Sequence, residues 1–331
     1  MATSSRRFML AATLATVAAA SFPPVRSSAA AEGYPSRPVT MVAPVAPGGI
    51  LDLTARLLAM GLSQELGRQF VVENKGGASG NIGIQQVARA NPDGYTLLVT
   101  YSGYQVANPF LFKKLGWDPI RDFMPIGLAI KAPHLIVVRK GLPVDTLGEL
   151  IEYARAHPGK LNFAAPGVGS IGYIGGVQLQ QLTAIKMVPV FYKGTAPAMI
   201  DLLGGTVDLL IATPPSAAGH LKDGSVKGLA LAGDRRLPML PDIPTAAEAG
   251  LPGFELEAWT AVYAPAGTPQ PVVDKLAAAM AKVVDSAAFQ QRALEHGTYP
   301  VHMGPQELGE FTQAELTHWG EVIRTAGIQP E

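Results

Sequence analysis

Short apolar runs alternate with helical patterns along the chain, and this alternation restricts its fold class. The apolar runs predict strands at residues 39–43, 70–73, 95–100, 161–165, 188–192, 207–212 and 228–232. Segments with apolar residues at helical spacing predict helices at residues 51–66, 147–156, 269–285 and 305–325. Because strands that alternate with helices form mostly parallel sheets covered by those helices, we expect an α/β fold.

Two of the predicted helices carry charged residues in their first turn. Thr146 and Glu149 have the spacing of a capping box, in which each side chain satisfies a free backbone N–H group of the other residue. Asp52 lies at the positive end of the first helix and precedes Arg56 by four residues. This arrangement favours a structural role for Asp52 over a catalytic one.

The length of the chain favours two domains. It has 331 residues, 48% of them hydrophobic, which is enough for two cores at roughly 100–200 residues per domain. Residues 134–139 and 258–264 have the pattern of two crossings between lobes. We therefore expect a discontinuous first lobe, residues 33–134 plus 262–331, and a second lobe of residues 135–261.

The composition excludes several classes of partner. The 26 basic and 26 acidic residues cancel, so no net positive field would attract nucleic acid. The six histidines show no spacing typical of metal ligands, and no pattern indicates a cofactor. We expect charge recognition to be local and built from a few hydrogen-bond donors.

Residues 1–31 have the pattern of an export signal: Arg6 and Arg7, an apolar run, and small residues at the end. The arginine pair is compatible with a twin-arginine signal as well as with an ordinary secretory signal. No cysteine is present to carry a disulfide or a lipid, and no later run of about 18 apolar residues could span a bilayer. The pattern predicts an exported protein without a membrane anchor.

Glycine-rich segments stand at four predicted junctions before helices. They are Pro47-Gly48-Gly49, the run from Gly76 to Asn81, the run from Gly167 to Gly172, and Lys193-Gly194-Thr195. Glycines let a ligand approach the backbone, and the first N–H groups of a helix are free to bind an anion. Ser79, Ser170 and Thr195 add hydroxyl donors. In open α/β sheets ligands bind beyond the carboxyl ends of strands, so we expect the junctions to form an anion site.

Two enzymatic or nucleotide interpretations compete with this one. The run Gly167-Val168-Gly169-Ser170-Ile171-Gly172 fits G-x-G-x-x-G, but the acidic residue that should follow near the next strand end is missing. Val168 occupies the place of the first glycine in a G-x-S-x-G nucleophile elbow. No nucleophile with an orienting base is evident, and we expect no enzymatic activity.

Three tyrosines follow predicted strand ends near these junctions. Tyr101, Tyr104 and Tyr173, with Ser102 between the first two, could form an amphipathic wall along the carbon skeleton of a ligand. Packing between loops would explain each tyrosine equally well.

Several segments, taken in order, resemble the solute-binding proteins of tripartite tricarboxylate transporters. The carrying segments are YPSRPVTMVAPVAPGGILDLTARLLA, NKGGASGNIGIQQVARANPDGYTLLVT, NPFLFKKLGWDPIRDFMPIGLA, VFYKGTAPAMIDLLGGTVDLLIA and AWTAVYAPAGTPQPVVDKL. The resemblance implies a two-lobed, type II-like periplasmic-binding-protein fold with a double crossover hinge. It also implies a monomer in the periplasm that passes a small carboxylate to a membrane permease. By the same resemblance, the carboxylate contacts are expected at Ala46, Gly48, Gly49, Ser79, Ser170 and Thr195.

The chain departs from the family pattern at two places. Tyr104 and Tyr173 stand where many members carry smaller or polar residues. Ala212 and Thr213 stand where many carry Asp or Asn. An acid there could pair with an amino group, so its absence argues against an amino-acid ligand. The departures favour an aromatic or longer apolar carboxylate.

Two other functions share the same predicted cleft. An exported enzyme could act there on a carboxylate ester, and a ligand-loaded binding protein could report to a membrane sensor kinase instead of a permease. Export, the absence of a nucleophile with its base and the four donor-rich junctions favour transport.

Overall fold

The computed structural model describes residues 33–165, 170–192, 194–325 and 327–330. The predicted export signal therefore lies outside the described residues. Among the described helices, none combines the length and apolarity that crossing a bilayer requires.

The first part of the chain builds a three-stranded parallel unit covered by helices. Its elements are β1 (Val39–Ala43), α1 (Ile50–Leu66), β2 (Phe70–Asn74), α2 (Asn81–Ala88), β3 (Thr96–Tyr101), a π-helical turn (Gly103–Ala107) and α3 (Asn108–Leu111). β1 lies in the middle and pairs in parallel with β2 and with β3.

The middle of the chain builds a second unit of the same kind. Its elements are β4 (Phe123–Arg139), α4 (Leu147–Ala156), β5 (Asn162–Ala165), α5 (Ile171–Thr183), β6 (Val188–Phe191), α6 (Thr195–Gly204), β7 (Leu209–Ala212), α7 (Pro214–Lys222) and β8 (Val226–Ala232). β5 pairs in parallel with β6 and with β7. The capping box predicted at Thr146 and Glu149 is present at the start of α4.

The last part of the chain returns to the first unit. Its elements are β9 (Glu257–Pro265), α8 (Gln270–Asp285), α9 (Ala287–Glu295), β10 (Tyr299–Met303) and α10 (Pro305–Thr325). Val273, Leu276 and Met280 of α8 share one buried core with Met41 of β1 and Leu58 of α1. Helix α8 therefore packs on the first unit.

One long strand, β4, connects the two units. Its first part pairs antiparallel with β9 as far as the pair Pro133 and Glu257. It pairs with β8 from His134 onward and with β7 from Leu135 onward. The strand order is β2-β1-β3-β9-β4-β7-β5-β6, with β8 and β10 also on β4. β4 therefore crosses from one unit to the other, and β9 begins where the chain returns. We call β4 and β9 the crossing strands; they pair antiparallel, unlike the parallel strands on either side.

These pairings bear on where one lobe ends and the other begins. β4 changes its pairing partner between Pro133 and His134, and the sequence predicts the first boundary after residue 134. On the return, β9 already pairs with the first sheet from Glu257, whereas the sequence pattern predicts this boundary after residue 261. We propose that the second lobe spans residues 135–256 and that the first lobe resumes at Glu257.

Candidate functional site

The four predicted junctions meet around one cavity of about 980 Å³ between the two units. Gly48 and Gly49 line it from the loop before α1, and Ser79 lines it from the loop before α2. Ser170 and Thr195 line it from the starts of α5 and α6. Uncharged donors from both halves of the fold therefore face the same space.

Asp52 fixes the loop before α1. Its buried carboxylate accepts hydrogen bonds from the backbone N–H of Gly48 at 2.9 Å, from Asn74 Nδ2 at 2.8 Å and from Arg56 Nε at 3.1 Å. Arg56 Nη2 also contacts the other carboxylate oxygen at 3.0 Å, which confirms the predicted i,i+4 pair. Burial raises the pKa of Asp52, but these hydrogen bonds outweigh burial and hold that pKa below its ordinary value of 3.8.

The N–H group of Gly48 is thus not free, contrary to the expectation from sequence. The N–H groups of Gly49 and Ile50 have no acceptor among the described residues and remain at the start of the helix. Both residues line the cavity, and Asp52 fixes the backbone next to them.

The loop before α2 adopts a strained backbone. Ala78 and Ser79 have φ angles of 46° and 51°, in the left-handed region that costs a residue with a side chain about 1–2 kcal/mol. Asn108 Nδ2 donates to the carbonyl of Ser79 at 2.9 Å and to Asn81 Oδ1 at 3.1 Å, and Trp117 Nε1 donates to the same oxygen of Asn81. This network holds Ser79 at the cavity. Strain maintained in this way is typical of binding sites.

The second unit contributes two helix starts. Ser170 is the N-cap of α5, and its Oγ accepts the N–H of Tyr173 at 3.2 Å, which leaves the hydroxyl proton for another acceptor. Thr195 begins α6 directly after Gly194, whose φ of 117° favours glycine. Residues 167–169 and Lys193 of the predicted junctions lie outside the described residues.

Tyr101 and Tyr104 form one aromatic side of the cavity. Their ring centroids lie 4.4 Å apart, and both residues line the cavity. A Cβ at Gly80 would lie 2.4 Å from the ring of Tyr104, and one at Gly103 would lie 2.5 Å from the ring of Tyr101. Burial raises the pKa of both hydroxyl groups above 10, so each stays protonated at neutral pH.

Three predicted site residues lie elsewhere. Ala46 is exposed on the loop before α1 but does not line the cavity. Ser102 is buried, and its Oγ accepts the N–H of Trp259 at 3.4 Å. Tyr173 packs between Phe163 and Phe191, with ring centroids 6.2 and 5.2 Å away, which is the packing alternative considered from the sequence.

Other polar residues line the cavity without having been predicted as contacts. They are Asn108, His134, Thr213, Ser216, Thr260, His296 and Gln329. His134 and Thr260 belong to the crossing strands, so their placement depends on the pairing of β4 with β9. The predicted crossings are the one signal in the sequence that could have drawn attention to them.

The described lining residues include no Asp, Glu, Lys or Arg. No group of three or more metal-ligating side chains occurs in the described ranges either. In this part of the chain, an anionic ligand would therefore meet hydroxyl, amide and backbone N–H groups.

The buried histidine at the crossing gives a pH-dependent stability. Burial lowers the pKa of His134 from 6.5 to about 4, although the hydrogen bond to Leu256 acts in the opposite direction. Between these values the unfolded chain binds a proton that the native protein does not, so stability is lost as the pH falls. We expect this group to reduce the free energy of unfolding by about 2 kcal/mol from pH 7 to pH 5. Urea denaturation should show that the free energy of unfolding changes less between pH 7 and pH 5 in His134→Asn than in the wild-type protein. An equal change in both proteins would refute the assignment of this pH dependence to His134.

Comparisons with known proteins identify the family and the fold. A model of the tripartite tricarboxylate transporter family receptor, TctC, matches residues 54–328. The solved structure of the periplasmic binding protein BugD is 39% identical to this chain, with a TM-score of 0.74. The match covers 90% of this chain and 100% of BugD. The two-lobed periplasmic-binding-protein fold expected from the sequence is confirmed.

Two further solved structures contain carboxylates. Rpa4515 of R. palustris with adipate is 37% identical, with a TM-score of 0.77, over 90% of this chain and 100% of that one. MatC of Rhodopseudomonas palustris with bound malate is 38% identical, with a TM-score of 0.72, over 88% of this chain and 100% of that one.

Proposed function

We propose, since the chain belongs to the tripartite tricarboxylate transporter receptor family, that it captures a small carboxylate in the cleft and delivers it to a membrane permease of that transporter type. One observation carries the proposal: uncharged donors from both lobes surround one cavity whose described lining contains no charged carboxylate or ammonium group. Relatives of the same fold hold adipate and malate, which supports a carboxylate ligand here.

The energetics require the lobes to close on the ligand. Micromolar affinity corresponds to about −8 kcal/mol. A helix N-terminus contributes about 0.3–1 kcal/mol to an exposed anion and ~2 kcal/mol to a partly buried one. Hydrogen bonds from Gly49, Ser79, Ser170 and Thr195 would add about 1.5–3 kcal/mol each when water is excluded. Movement about the crossing strands near His134 and Leu256 would provide this exclusion.

Neutral donors also suit a carrier that must release its ligand. When the carboxylate departs, no buried charge remains without a partner in the described part of the cleft. A site built from arginine or lysine would retain a charge that is costly to bury in the closed, empty state. The donor set therefore favours capture followed by delivery.

The walls of the cleft favour a ligand with an apolar skeleton. Tyr101, Tyr104, Leu111, Phe112 and Ile211 line a volume of about 980 Å³. An amino-acid ligand would bring an ammonium group that finds no carboxylate partner among the described lining residues. We propose an aromatic or longer apolar carboxylate.

The protein would act in the periplasm as a monomer, and residues 1–31 would serve as its export signal. It would bind its ligand without chemical change.

Calorimetry with the purified mature protein tests the function. We expect terephthalate or adipate to bind with micromolar affinity and aspartate to bind far more weakly. Mass spectrometry of the recovered acid should show it unaltered. Conversion of the acid, or of its ester, would instead indicate an exported enzyme, and tight binding of aspartate alone would refute the ligand class.

A substitution in the strained loop distinguishes the contribution of the Ser79 hydroxyl group from the contribution of the Ser79 backbone conformation. Ser79→Gly should raise the free energy of unfolding by about 1 kcal/mol, because glycine adopts a positive φ without strain. It should also weaken carboxylate binding by about tenfold, through the loss of one charge-assisted hydrogen bond. Thermal unfolding and calorimetry measure the two effects.

Ala78→Gly is the matched control for this substitution. Ala78 has the same backbone conformation but does not line the cavity. It should give the same gain in stability with unchanged affinity. An equal loss of affinity in both variants would show that the loop conformation, not the Ser79 hydroxyl, determines binding.

A further inference from the structure

His134 lies where the chain passes from one lobe to the other. It follows Pro133, the last residue of β4 paired with β9, and precedes Leu135, which pairs with β7. Only 6% of its surface is exposed, yet it lines the cavity. Ala132, Ala258 and Thr260 line the cavity beside it on the same two strands, and we call these four residues the crossing-strand wall.

The contacts of His134 determine which ring nitrogen carries the proton. Nδ1 lies 3.2 Å from the carbonyl oxygen of Leu256, which also accepts the backbone N–H of His134 at 3.0 Å. A carbonyl oxygen can only accept, so Nδ1 must be the donor in this contact. In the neutral ring, Nε2 is then left with a lone pair and no proton.

Nε2 of His134 is open to the cavity and unpaired. It makes no hydrogen bond to a described residue, and it is not among the enclosed polar atoms, unlike Nε2 of His302. The wall thus presents the lone pair of His134 Nε2, beside the hydroxyl group of Thr260, to a ligand whose carboxylate would be held by donors at the loops.

The ring is uncharged at neutral pH, because burial lowers its pKa to about 4. A neutral nitrogen with an exposed lone pair repels a carboxylate and attracts a group that can donate a hydrogen bond. An ammonium group would be a poor partner, since the described lining contains no acid to balance its charge. A hydroxyl group is the donor that suits the site.

We propose that His134 is a specificity-determining residue whose Nε2 accepts a hydrogen bond from a hydroxyl group of the ligand, so that the preferred ligands are hydroxycarboxylates. The inference rests on the proposed function of carboxylate capture and narrows the proposed ligands to aromatic or longer carboxylates that carry a hydroxyl group. The other contacts of His134 hold the crossing strands together, and they act equally on every ligand.

Matched acids that differ by one hydroxyl group test the inference. Calorimetry would compare 2-hydroxyadipate with adipate, and 4-hydroxybenzoate with benzoate. We define the hydroxyl preference as the dissociation constant of the plain acid divided by that of its hydroxylated partner. In the wild-type protein we expect a preference of about tenfold for at least one pair, the size of one buried hydrogen bond.

Two substitutions of His134 separate recognition from structure. His134→Asn can still donate to the Leu256 carbonyl but lacks an acceptor at the position of Nε2, so its preference should fall to about one. His134→Gln places an amide oxygen near that position and should retain several-fold preference. His220→Asn, at a histidine that does not line the cavity, is the control and should leave the preference unchanged.

A spectroscopic measurement needs no variant. The ¹⁵N resonance of His134 Nε2 should move when the preferred hydroxy acid binds and stay nearly in place with the plain acid of the same pair. A wild-type preference of one for both pairs, with plain acids still bound, would overturn the inference and leave the proposed function intact. A preference that survives in folded His134→Asn would also overturn it. Failure of every carboxylate to bind would overturn both.

Discussion

Replacing Ser170 with aspartate should weaken carboxylate binding by more than about 100-fold while the fold stays intact. Ser170 lines the cavity and caps α5 through its contact with the N–H of Tyr173. Aspartate is an equally good N-cap, so the helix keeps its start. Its charge would face the ligand carboxylate, and two like charges about 4 Å apart repel by about 4 kcal/mol at the effective dielectric constant of a partly buried site. Calorimetry and thermal unfolding of the same preparation measure both effects.

The matched control for Ser170→Asp is Thr146→Asp. Thr146 caps α4 in the same way, accepting the N–H of Glu149 at 3.2 Å, but it does not line the cavity. Both variants should unfold near the wild-type temperature, and only the first should lose affinity. If the affinity of Ser170→Asp for carboxylates were within about threefold of the wild-type affinity, Ser170 would not face the carboxylate. The proposal that donors from both lobes bind the carboxylate would then fail.

Elements governed by local chemistry could be predicted closely. β1, α4 and α10 have the predicted limits. In α4 the capping box fixes the first residue, and the apolar spacing within the helix fixes its buried face. Such signals depend on residues a few positions apart, so they can be recognised without knowledge of the rest of the fold.

The long strand β4 could not be predicted in full. The sequence pattern predicts a crossing only at residues 134–139, whereas the strand begins at Phe123. Pro125, Gly127 and Pro133 within it resemble turn signals. In the structure the pairing register with β9 shifts between Pro125 and Gly127, and irregular pairing accommodates residues that would weaken a regular strand. β10, which pairs with β4, was likewise not predicted.

The candidate site shows the same division between local and distant causes. Gly48, Ser79, Ser170 and Thr195 could be chosen from sequence because each stands at a junction with its own local pattern. His134 could not, because its partner Leu256 lies 122 residues away and the ring is defined by that contact. Tyr173 satisfied the same local rule as Tyr101, but aromatic neighbours in its own lobe place it elsewhere.

Replacing Asp52 with alanine should lower the free energy of unfolding by about 3 kcal/mol and weaken ligand binding by about tenfold. Removal of the carboxylate leaves the N–H of Gly48 and the amide of Asn74 without their acceptor and Arg56 without its counter-charge. The loop that presents Gly49 and Ile50 would then have to be ordered by the ligand itself, at a cost of about 1–2 kcal/mol for each residue fixed. Urea denaturation and calorimetry below the unfolding range measure the two losses.

Asp208→Ala distinguishes this coupling from a general loss of stability. Asp208 accepts hydrogen bonds from Arg139 Nε at 2.7 Å and from the N–H of Asn162 at 2.9 Å, and it does not line the cavity. The Asp208→Ala variant should be destabilised about as much as Asp52→Ala and yet bind carboxylates with wild-type affinity. If both variants kept full affinity, the N–H groups beside Gly48 would contribute nothing to the grip. If both lost it equally, binding would report on the stability of the whole molecule. Only a loss confined to Asp52→Ala agrees with a buried aspartate that holds one binding loop in place before the ligand arrives.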